Sequence, residues 1–195
     1  MSTDRRLAWG LASGGLIGLL AAAVLLIERV RLGDDSTYVP TCSINPVLSC
    51  GSVMETTQAA LLGFPNPIIG VAAFPVVVTT GVVILAGGQL ARWYWVGLQL
   101  GVTAAVGLVA WLAFQSIYRI GALCPYCMVV WAVVIPIFWY VTLRNLAHGV
   151  LGQRLRGSRA AALAGEWHAL LLLVPYLLLI GLIAQRFWSY WSTLL

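Results

Sequence analysis

Lysine is absent from this sequence, and charged residues of every kind make up only 9% of its 195 residues. A soluble domain carries about 25% charged residues, so the scarcity of charge excludes an ordinary soluble protein. The hydrophobic share of 61% and the mean hydropathy of +0.94 predict an integral membrane protein instead. All eleven basic residues are arginine, which we attribute to compositional bias.

The sequence also lacks several patterns that would indicate other functions. No glycine-rich phosphate loop and no flavin or nicotinamide fingerprint is present, so no nucleotide cofactor is expected. No strand-length alternation of polar and apolar residues occurs, so helices are the expected spanning elements. The net charge of +5 is explained by membrane topology and anionic lipid, and we expect no nucleic-acid partner.

Five apolar runs are long enough to cross a bilayer, which takes about 20 residues of helix. They cover residues 7–27, 67–86, 93–117, 125–143 and 167–187. The first run lacks a convincing small-residue cleavage site, so we expect a retained membrane span and not a removed signal peptide. The sequence therefore predicts an all-α integral membrane protein with five transmembrane helices, forming a single domain over residues 1–195.

The distribution of arginine predicts the orientation, because cytoplasmic loops are enriched in basic residues. A cytoplasmic N-terminus would place seven arginines on the inner side and four on the outer side. All four cysteines then lie on the outer side, in an oxidising compartment such as the outer face of a bacterial inner membrane or an ER lumen. Aromatic residues typical of an interfacial belt lie at the proposed boundaries, namely Trp9, Trp93, Tyr94, Trp95, Tyr118, Trp188, Tyr190 and Trp191.

The outer loop between the first two spans, residues 31–66, is too long for a simple connection, and long loops often have a function. From Ser52 onward its apolar residues recur at spacings compatible with a short helix. Ser52 is the predicted N-cap, with Glu55 three residues later as in a capping box, and Gly63 and Pro65 would end the helix. Since it is too short to span, we predict that it lies at the membrane interface.

Cys124 and Cys127 form a C-x-x-C motif at the start of the fourth span. At a helix N-terminus, free N–H groups and the positive end of the helix dipole favour a thiolate. Pro125 suits the first helical position, because its missing N–H would be unpaired there. We interpret the motif as a reactive dithiol; the alternatives are a structural disulfide or two inert buried thiols.

Cys42 and Cys50 form a second pair in the outer loop, and by themselves they could be a plain loop disulfide. Two pairs on the same side of the membrane favour thiol–disulfide exchange between them. One pair would serve a soluble partner, and the other would pass electrons on within the membrane. A zinc site is disfavoured because this cysteine spacing is not a standard zinc pattern. Covalent haem is disfavoured because Met128, and not histidine, follows Cys127.

Electrons that reach the second pair need an acceptor, and the carrier dissolved in the membrane is a quinone. A quinone site requires an apolar pocket with a few polar groups. For any single aromatic residue near the motif, the alternative is lipid contact or helix packing. The candidate lining residues are Met54 of the loop helix together with Phe74, Phe114, Tyr118, Met128 and Trp131.

Three segments, CSINPVLSCGSVMETT, GFPNPIIGVAAF and CPYCMVVW, resemble the vitamin K epoxide reductase family in its bacterial disulfide-forming branch. The resemblance extends from Cys42 through the fourth span at least. The loop pair, a following hydroxyl, an asparagine before the second span and the C-x-x-C motif occur in the order of the family. The four-helix oxidase of the Dsb type, also linked to quinone, has its C-x-x-C motif in the first outer loop, which is the reverse order.

The resemblance implies a core of four helices around a quinone (menaquinone or ubiquinone) and one peripheral helix. It also implies that Cys42 and Cys50 are the shuttle pair, that Cys50 attacks Cys124, and that Cys127 faces the quinone.

Three further positions carry roles that the resemblance implies. Asn66 matches the family's donor to the quinone oxygen. Thr56 matches a hydroxyl of the family that is often serine. Trp131 stands where vertebrate members have tyrosine, so a hydroxyl role does not transfer to it.

Many bacterial members of the family end in a fused thioredoxin-like domain. The sequence ends at Leu195, soon after the fifth span, so we expect a separate periplasmic thioredoxin-fold (DsbA-like) oxidase as partner. The resulting hypothesis is a quinone-dependent thiol oxidase of the bacterial inner membrane that drives disulfide formation. One alternative is a vitamin K or quinone epoxide reductase, and another is a non-catalytic membrane scaffold with two structural disulfides.

Overall fold

The computed structural model describes residues 3–35 and 37–192, and over these residues the chain is almost entirely helical, without a β-strand. Five helices are long and apolar enough to cross a membrane. This confirms the prediction of an all-α integral membrane protein. In chain order the elements are α1 (Thr3–Asp34), α2 (Cys50–Met54), a 3-10 helix (Thr57–Ala60), α3 (Pro67–Leu85), α4 (Arg92–Phe114), a π-helix (Gln115–Ile120), α5 (Pro125–Ala147), α6 (Gln153–Arg156), α7 (Arg159–Glu166), α8 (His168–Arg186) and α9 (Trp188–Trp191).

The first helix is longer than its apolar run. The span Asp4–Asp34 has 31 residues, and at 1.5 Å per residue this is about 46 Å of helix. The hydrocarbon core of a bilayer is about 30 Å thick, so the last turns of α1 extend beyond it. These turns are polar and include the buried carboxylate of Glu28, which the apolar-run criterion did not include in the span.

Helix α1 packs closely against both α3 and α5, and α4 packs on α5. Small residues allow the close approach of α1 and α3. A Cβ atom added at Gly81 would lie 2.6 Å from the carbonyl oxygen of Ala8, and one at Gly18 would overlap the ring of Phe74. Small residues at helix interfaces are the usual means by which membrane helices gain van der Waals contact.

A buried polar network joins α4 to α5 at the end of the bundle that carries Arg92 and Arg144, which we call the arginine end. The side chain of Asn145 is fully buried and donates to the carbonyl of Trp95 at 3.3 Å and to Gln99 Oε1 at 3.0 Å. The guanidinium of Arg144 lies 3.5 Å above the ring of Trp95. Because polar groups away from water must be paired, this network sets the register of the two helices.

The fifth long helix, α8, lies at the periphery, and no residue in its apolar window is buried inside the protein. It is joined to α5 by two hydrogen bonds. The indole of Trp139 donates to the carbonyl of His168 at 3.1 Å, and the hydroxyl of Tyr176 donates to the carbonyl of Ala132 at 2.5 Å. The bundle therefore has four packed helices and one peripheral helix. The opposite end of the bundle carries all four cysteines, and we call it the cysteine end.

Candidate functional site

Three sulfur atoms lie together at the cysteine end. Cys42 and Cys50 form a disulfide with a Cα–Cα distance of 5.6 Å, whereas Cys124 and Cys127 are free thiols. The Sγ atom of Cys50 is 3.1 Å from the Sγ atom of Cys124, and the sulfurs of Cys42, Cys50 and Cys124 all lie within 4.8 Å of one another. A sulfur of the loop disulfide is thus in contact with a sulfur of the C-x-x-C motif.

Backbone hydrogen bonds hold the loop cysteine against the motif. Leu48 and Leu123 form an isolated parallel β-bridge. In it the N–H of Ser49 donates to the carbonyl of Leu123 at 2.9 Å, and the N–H of Leu123 donates to the carbonyl of Val47 at 2.7 Å. Because Leu48 lies two residues before Cys50 and Leu123 lies directly before Cys124, the bridge places Cys50 beside Cys124. The sequence offered no strand signal here, since the pairing involves a single residue on each side.

The loop helix starts earlier than predicted and is interrupted. Ser49, and not Ser52, is the N-cap of α2, and its side chain accepts from the N–H of Ser52 at 3.3 Å. Cys50 therefore begins the helix, and Glu55 lies at its C-terminal cap instead of in a capping box. A separate 3-10 helix follows at Thr57–Ala60. The earlier start follows from the β-bridge, which brings the chain into an extended conformation up to Ser49.

Cys124 lies at the N-terminus of α5, as the motif predicted. It is the N-cap, Pro125 occupies the first turn, and the N–H of Cys127 donates to the sulfur of Cys124 at 3.4 Å. A hydrogen bond from the side chain of Cys127 holds the pKa of the Cys124 thiol below its ordinary value. Backbone N–H groups of Cys127 and Tyr126 act in the same direction, against the effect of burial. Cys124 is thus arranged to be a good leaving group or attacking thiolate in exchange.

A cavity of about 540 Å³ extends from the two free thiols into the bundle. Its walls are largely α3 and α4, which face each other across it and are not packed together over most of their length. The volume falls in the range of about 300–1,000 Å³ that small-molecule sites occupy. Among the residues expected from the sequence, the lining includes Cys124, Cys127, Met54, Thr56, Asn66, Phe74 and Trp131.

The two predicted polar groups in the cavity wall also hold the loop in shape. Asn66 donates through Nδ2 to the carbonyl of Gln58 at 2.7 Å and accepts through Oδ1 from the N–H of Leu61 at 3.0 Å. Its amide carries a second N–H. The hydroxyl of Thr56 donates to the carbonyl of Val53 at 2.7 Å. Both residues therefore fix the segment that closes the cavity at the cysteine end.

Three of the expected quinone-pocket residues lie outside the cavity lining. The side chains of Phe114 and Tyr118 are 50% and 43% exposed, and their ring centroids lie 5.3 Å apart on the outer surface of the third span. Met128 is half-buried and packs against the helix core. The spacing of aromatic residues along one helix did not indicate which face of that helix meets the cavity.

Gln115 and Ser116, at the start of the π-helix, also line the cavity and were not predicted. Ser116 is buried. The Oε1 atom of Gln115 is buried and has no hydrogen-bond partner among the described residues. Buried polar atoms are nearly always paired, so this oxygen is available to a ligand in the cavity. Two adjacent polar residues within an apolar span were the available signal.

Comparison with protein families gave a match. The family model described as the vitamin K epoxide reductase family matches residues 9–142. This range contains most of α1, all of α3 and α4, most of α5 and all four cysteines. A search of curated proteins found no match.

Proposed function

Since the chain belongs to the vitamin K epoxide reductase family, we propose that this membrane oxidoreductase is a quinone-dependent thiol oxidase. It would reoxidise a periplasmic thioredoxin-fold disulfide donor, and so drive disulfide bond formation. The observation that carries the proposal is the 3.1 Å contact between Cys50 and Cys124 at the mouth of an apolar cavity. Through this contact, electrons would pass from the loop pair of cysteines to the pair in the C-x-x-C motif.

The first step is exchange with the partner at the loop disulfide. A thiolate of the reduced partner attacks the Sγ atom of Cys42, the Cys42–Cys50 bond breaks, and Cys50 leaves as a thiolate. The second partner thiol then attacks the mixed disulfide, loses its proton, and releases Cys42 as a thiolate. The partner leaves oxidised, and its two electrons remain on the loop pair.

The second step transfers these electrons to the C-x-x-C motif. The Cys50 thiolate attacks Cys124 of the oxidised motif, the Cys124–Cys127 bond breaks, and Cys127 leaves as a thiolate. The Cys42 thiolate then attacks Cys50 and releases Cys124. This restores a loop disulfide beside a reduced motif, which is the redox state of the structure. The lowered pKa of Cys124 makes it a good leaving group.

The cavity fits a quinone, either menaquinone or ubiquinone, by its size and largely apolar wall. When bound there, a quinone would supply the electron acceptor. Cys124 and Cys127 would close to a disulfide and release two electrons and two protons to it. The remaining N–H of Asn66 would donate to one ring oxygen. The unpaired oxygen of Gln115 would accept a hydrogen bond from a ring hydroxyl of the reduced form, or its amide would donate after a flip.

The same proposal also gives the direction of electron transfer and the membrane in which the protein would lie. An oxidising quinone pool withdraws electrons from dithiols when its potential is higher. The arginine end would face the cytoplasm and the cysteine end the periplasm of a bacterial inner membrane, where thioredoxin-fold oxidases meet their substrates.

The test is quinone reduction by the purified protein in detergent with a reduced thioredoxin-fold oxidase as electron donor. We expect loss of quinone absorbance at a rate set by the protein, and a fall to the background rate in Cys127→Ala. Ser13→Ala, which alters an exposed residue of α1, is the matched control and should turn over normally. Full turnover in Cys127→Ala would disprove the proposed route.

A second candidate function is reduction of a quinone epoxide. The same cavity and the two free thiols that face it would serve this reaction too, with the motif thiols as the reductant. The same preparation assayed with a quinone epoxide and a dithiol reductant distinguishes the two functions, since only the epoxide reductase would form quinone.

A further inference from the structure

The carboxylate of Glu28 accepts hydrogen bonds from the outer loop. It lies near the cysteine end of α1 and is 4% exposed. Tyr38 donates its hydroxyl to Oε2 at 2.8 Å, and Thr41 donates its hydroxyl to Oε1 at 2.7 Å and its backbone N–H to Oε2 at 3.4 Å. Within the described part of the chain, every hydrogen bond to this carboxylate comes from residues 38–41.

These hydrogen bonds end at the residue next to the shuttle disulfide. Thr41 precedes Cys42 directly, and Leu25, one turn before Glu28 on the same helix, packs against the buried sulfurs together with Leu32. One face of α1 therefore contacts the sulfurs through its apolar side chains and holds the loop over them through Glu28.

The outer loop around Cys42 is exposed, whereas Cys42 itself is buried. Val39 and Ile44, on either side of Cys42, are each 69% exposed, whereas Cys42 itself is 4% exposed. Thiol–disulfide exchange needs a thiolate to reach the attacked sulfur, so its rate depends on access. Cys42 is buried against Leu25 and the apolar side chains around it. A partner that attacks Cys42 therefore requires movement of the segment that carries it, residues 37–43, which we call the Cys42 segment.

We propose that Glu28 is a positioning residue that holds the Cys42 segment against α1, with the shuttle disulfide buried between them, and that a thiol must displace this segment from Glu28 to reach Cys42. The inference rests on the proposed function only in taking Cys42 as the point of entry. It assigns to α1 a role beyond spanning the membrane. Glu28 sets how often the disulfide is accessible, and it keeps Cys50 against Cys124 between partner encounters.

The experiment measures how fast a small reductant opens the loop disulfide. The protein used carries Cys124→Ser and Cys127→Ser, so that Cys42–Cys50 is the disulfide that is followed. Reduction by dithiothreitol is followed by maleimide-polyethylene glycol labelling and gel shift, well below the unfolding temperature. The test variants are Glu28→Gln, Tyr38→Phe and Thr41→Val, and the control is Asp34→Asn, an exposed acid on the same helix.

We expect the reduction rate to rise about tenfold in each test variant, the effect of losing one hydrogen bond to a charged group, and to stay unchanged in Asp34→Asn. Tyr38→Phe removes a single hydroxyl, so a folding failure in Glu28→Gln would still leave a readable result. A rate in Tyr38→Phe and Thr41→Val equal to that of the control would overturn the proposal.

A double-mutant cycle separates positioning from general loosening of the fold. If Glu28 acts through the hydroxyl of Tyr38, then Glu28→Gln combined with Tyr38→Phe should reduce no faster than the faster single variant. Multiplied rates would instead indicate independent loosening and count against the proposal. The assay contains neither quinone nor a protein partner, so its outcome does not depend on whether the protein proves to be a quinone-linked oxidase.

Discussion

Leu48 and Leu123 pair through a parallel β-bridge that joins the outer loop to the residue before the C-x-x-C motif. The two cysteines that follow, Cys50 and Cys124, are 74 positions apart in the chain, yet their sulfurs lie 3.1 Å apart. The bridge is held from the loop side by Asn45, whose Oδ1 accepts from the N–H groups of Val47 at 3.0 Å and Leu48 at 2.7 Å. A side-chain turn and a single bridge thus determine which sulfurs meet.

The sulfur contact predicts a specific cross-link. In Cys42→Ala with Cys127→Ala, only Cys50 and Cys124 remain, and we expect them to form a disulfide rapidly under mild oxidation because they are already in contact. Mass spectrometry of the linked peptides measures it. The matched variant, Cys42→Ala with Cys124→Ala, leaves Cys50 and Cys127 and should cross-link more slowly. Equal rates for the two pairs would show that the loop does not hold Cys50 at Cys124.

The lowered pKa of Cys124 predicts a pH dependence. Because a hydrogen bond from Cys127 stabilises the charged form, the thiolate should persist to lower pH than in an ordinary cysteine. The ultraviolet difference spectrum between the parent protein and Cys124→Ser measures the thiolate as pH falls. In Cys127→Ala the midpoint should move to higher pH, since the main donor is lost. An unchanged midpoint would mean that Cys127 does not stabilise the thiolate.

A larger side chain in the cavity wall should block the quinone. Gly101 of α4 lines the cavity, and a Cβ atom there would meet no atom within 4 Å. We expect Gly101→Leu to fold and to raise KM for quinone about tenfold, with the rate of loop-disulfide reduction unchanged. Gly107→Leu is the control, because Gly107 has the same free space in the same helix but does not line the cavity. Similar KM values in the two variants would exclude this cavity as the quinone site.

The side chain of Gln115 is expected to lower the stability of the folded protein and to strengthen the binding of quinone. Its buried oxygen has no partner among the described side chains and backbone groups, and an unpaired buried polar group costs about 1–3 kcal/mol. Gln115→Leu should therefore raise the thermal unfolding midpoint and also raise KM for quinone. Thermal scans in detergent and quinone titrations measure the two effects. A variant with unchanged KM would remove Gln115 from the proposed binding site.

The spans and the helix that starts at the C-x-x-C motif were determined by the sequence itself. A bilayer of fixed thickness requires about 20 apolar residues per helix, a local property that can be counted along the chain, and all five predicted spans were confirmed. The position at which α5 begins could likewise be predicted from the local sequence, because Pro125 in the first turn favours a helix start there. The sequence also determined, through its motifs, the family to which the chain belongs.

The family resemblance implied that Cys50 meets Cys124, and the tertiary structure decided how the chain brings them together and which other residues act with them. The faces of α3 and α4 that line the cavity include Phe74 but not Phe114, because the rotation of a helix in lipid is set by packing and not by hydropathy. The Cys50–Cys124 contact and the hydrogen bonds that reach Glu28 from the loop join segments that are distant along the chain. Such contacts depend on how the helices pack, which no local pattern encodes.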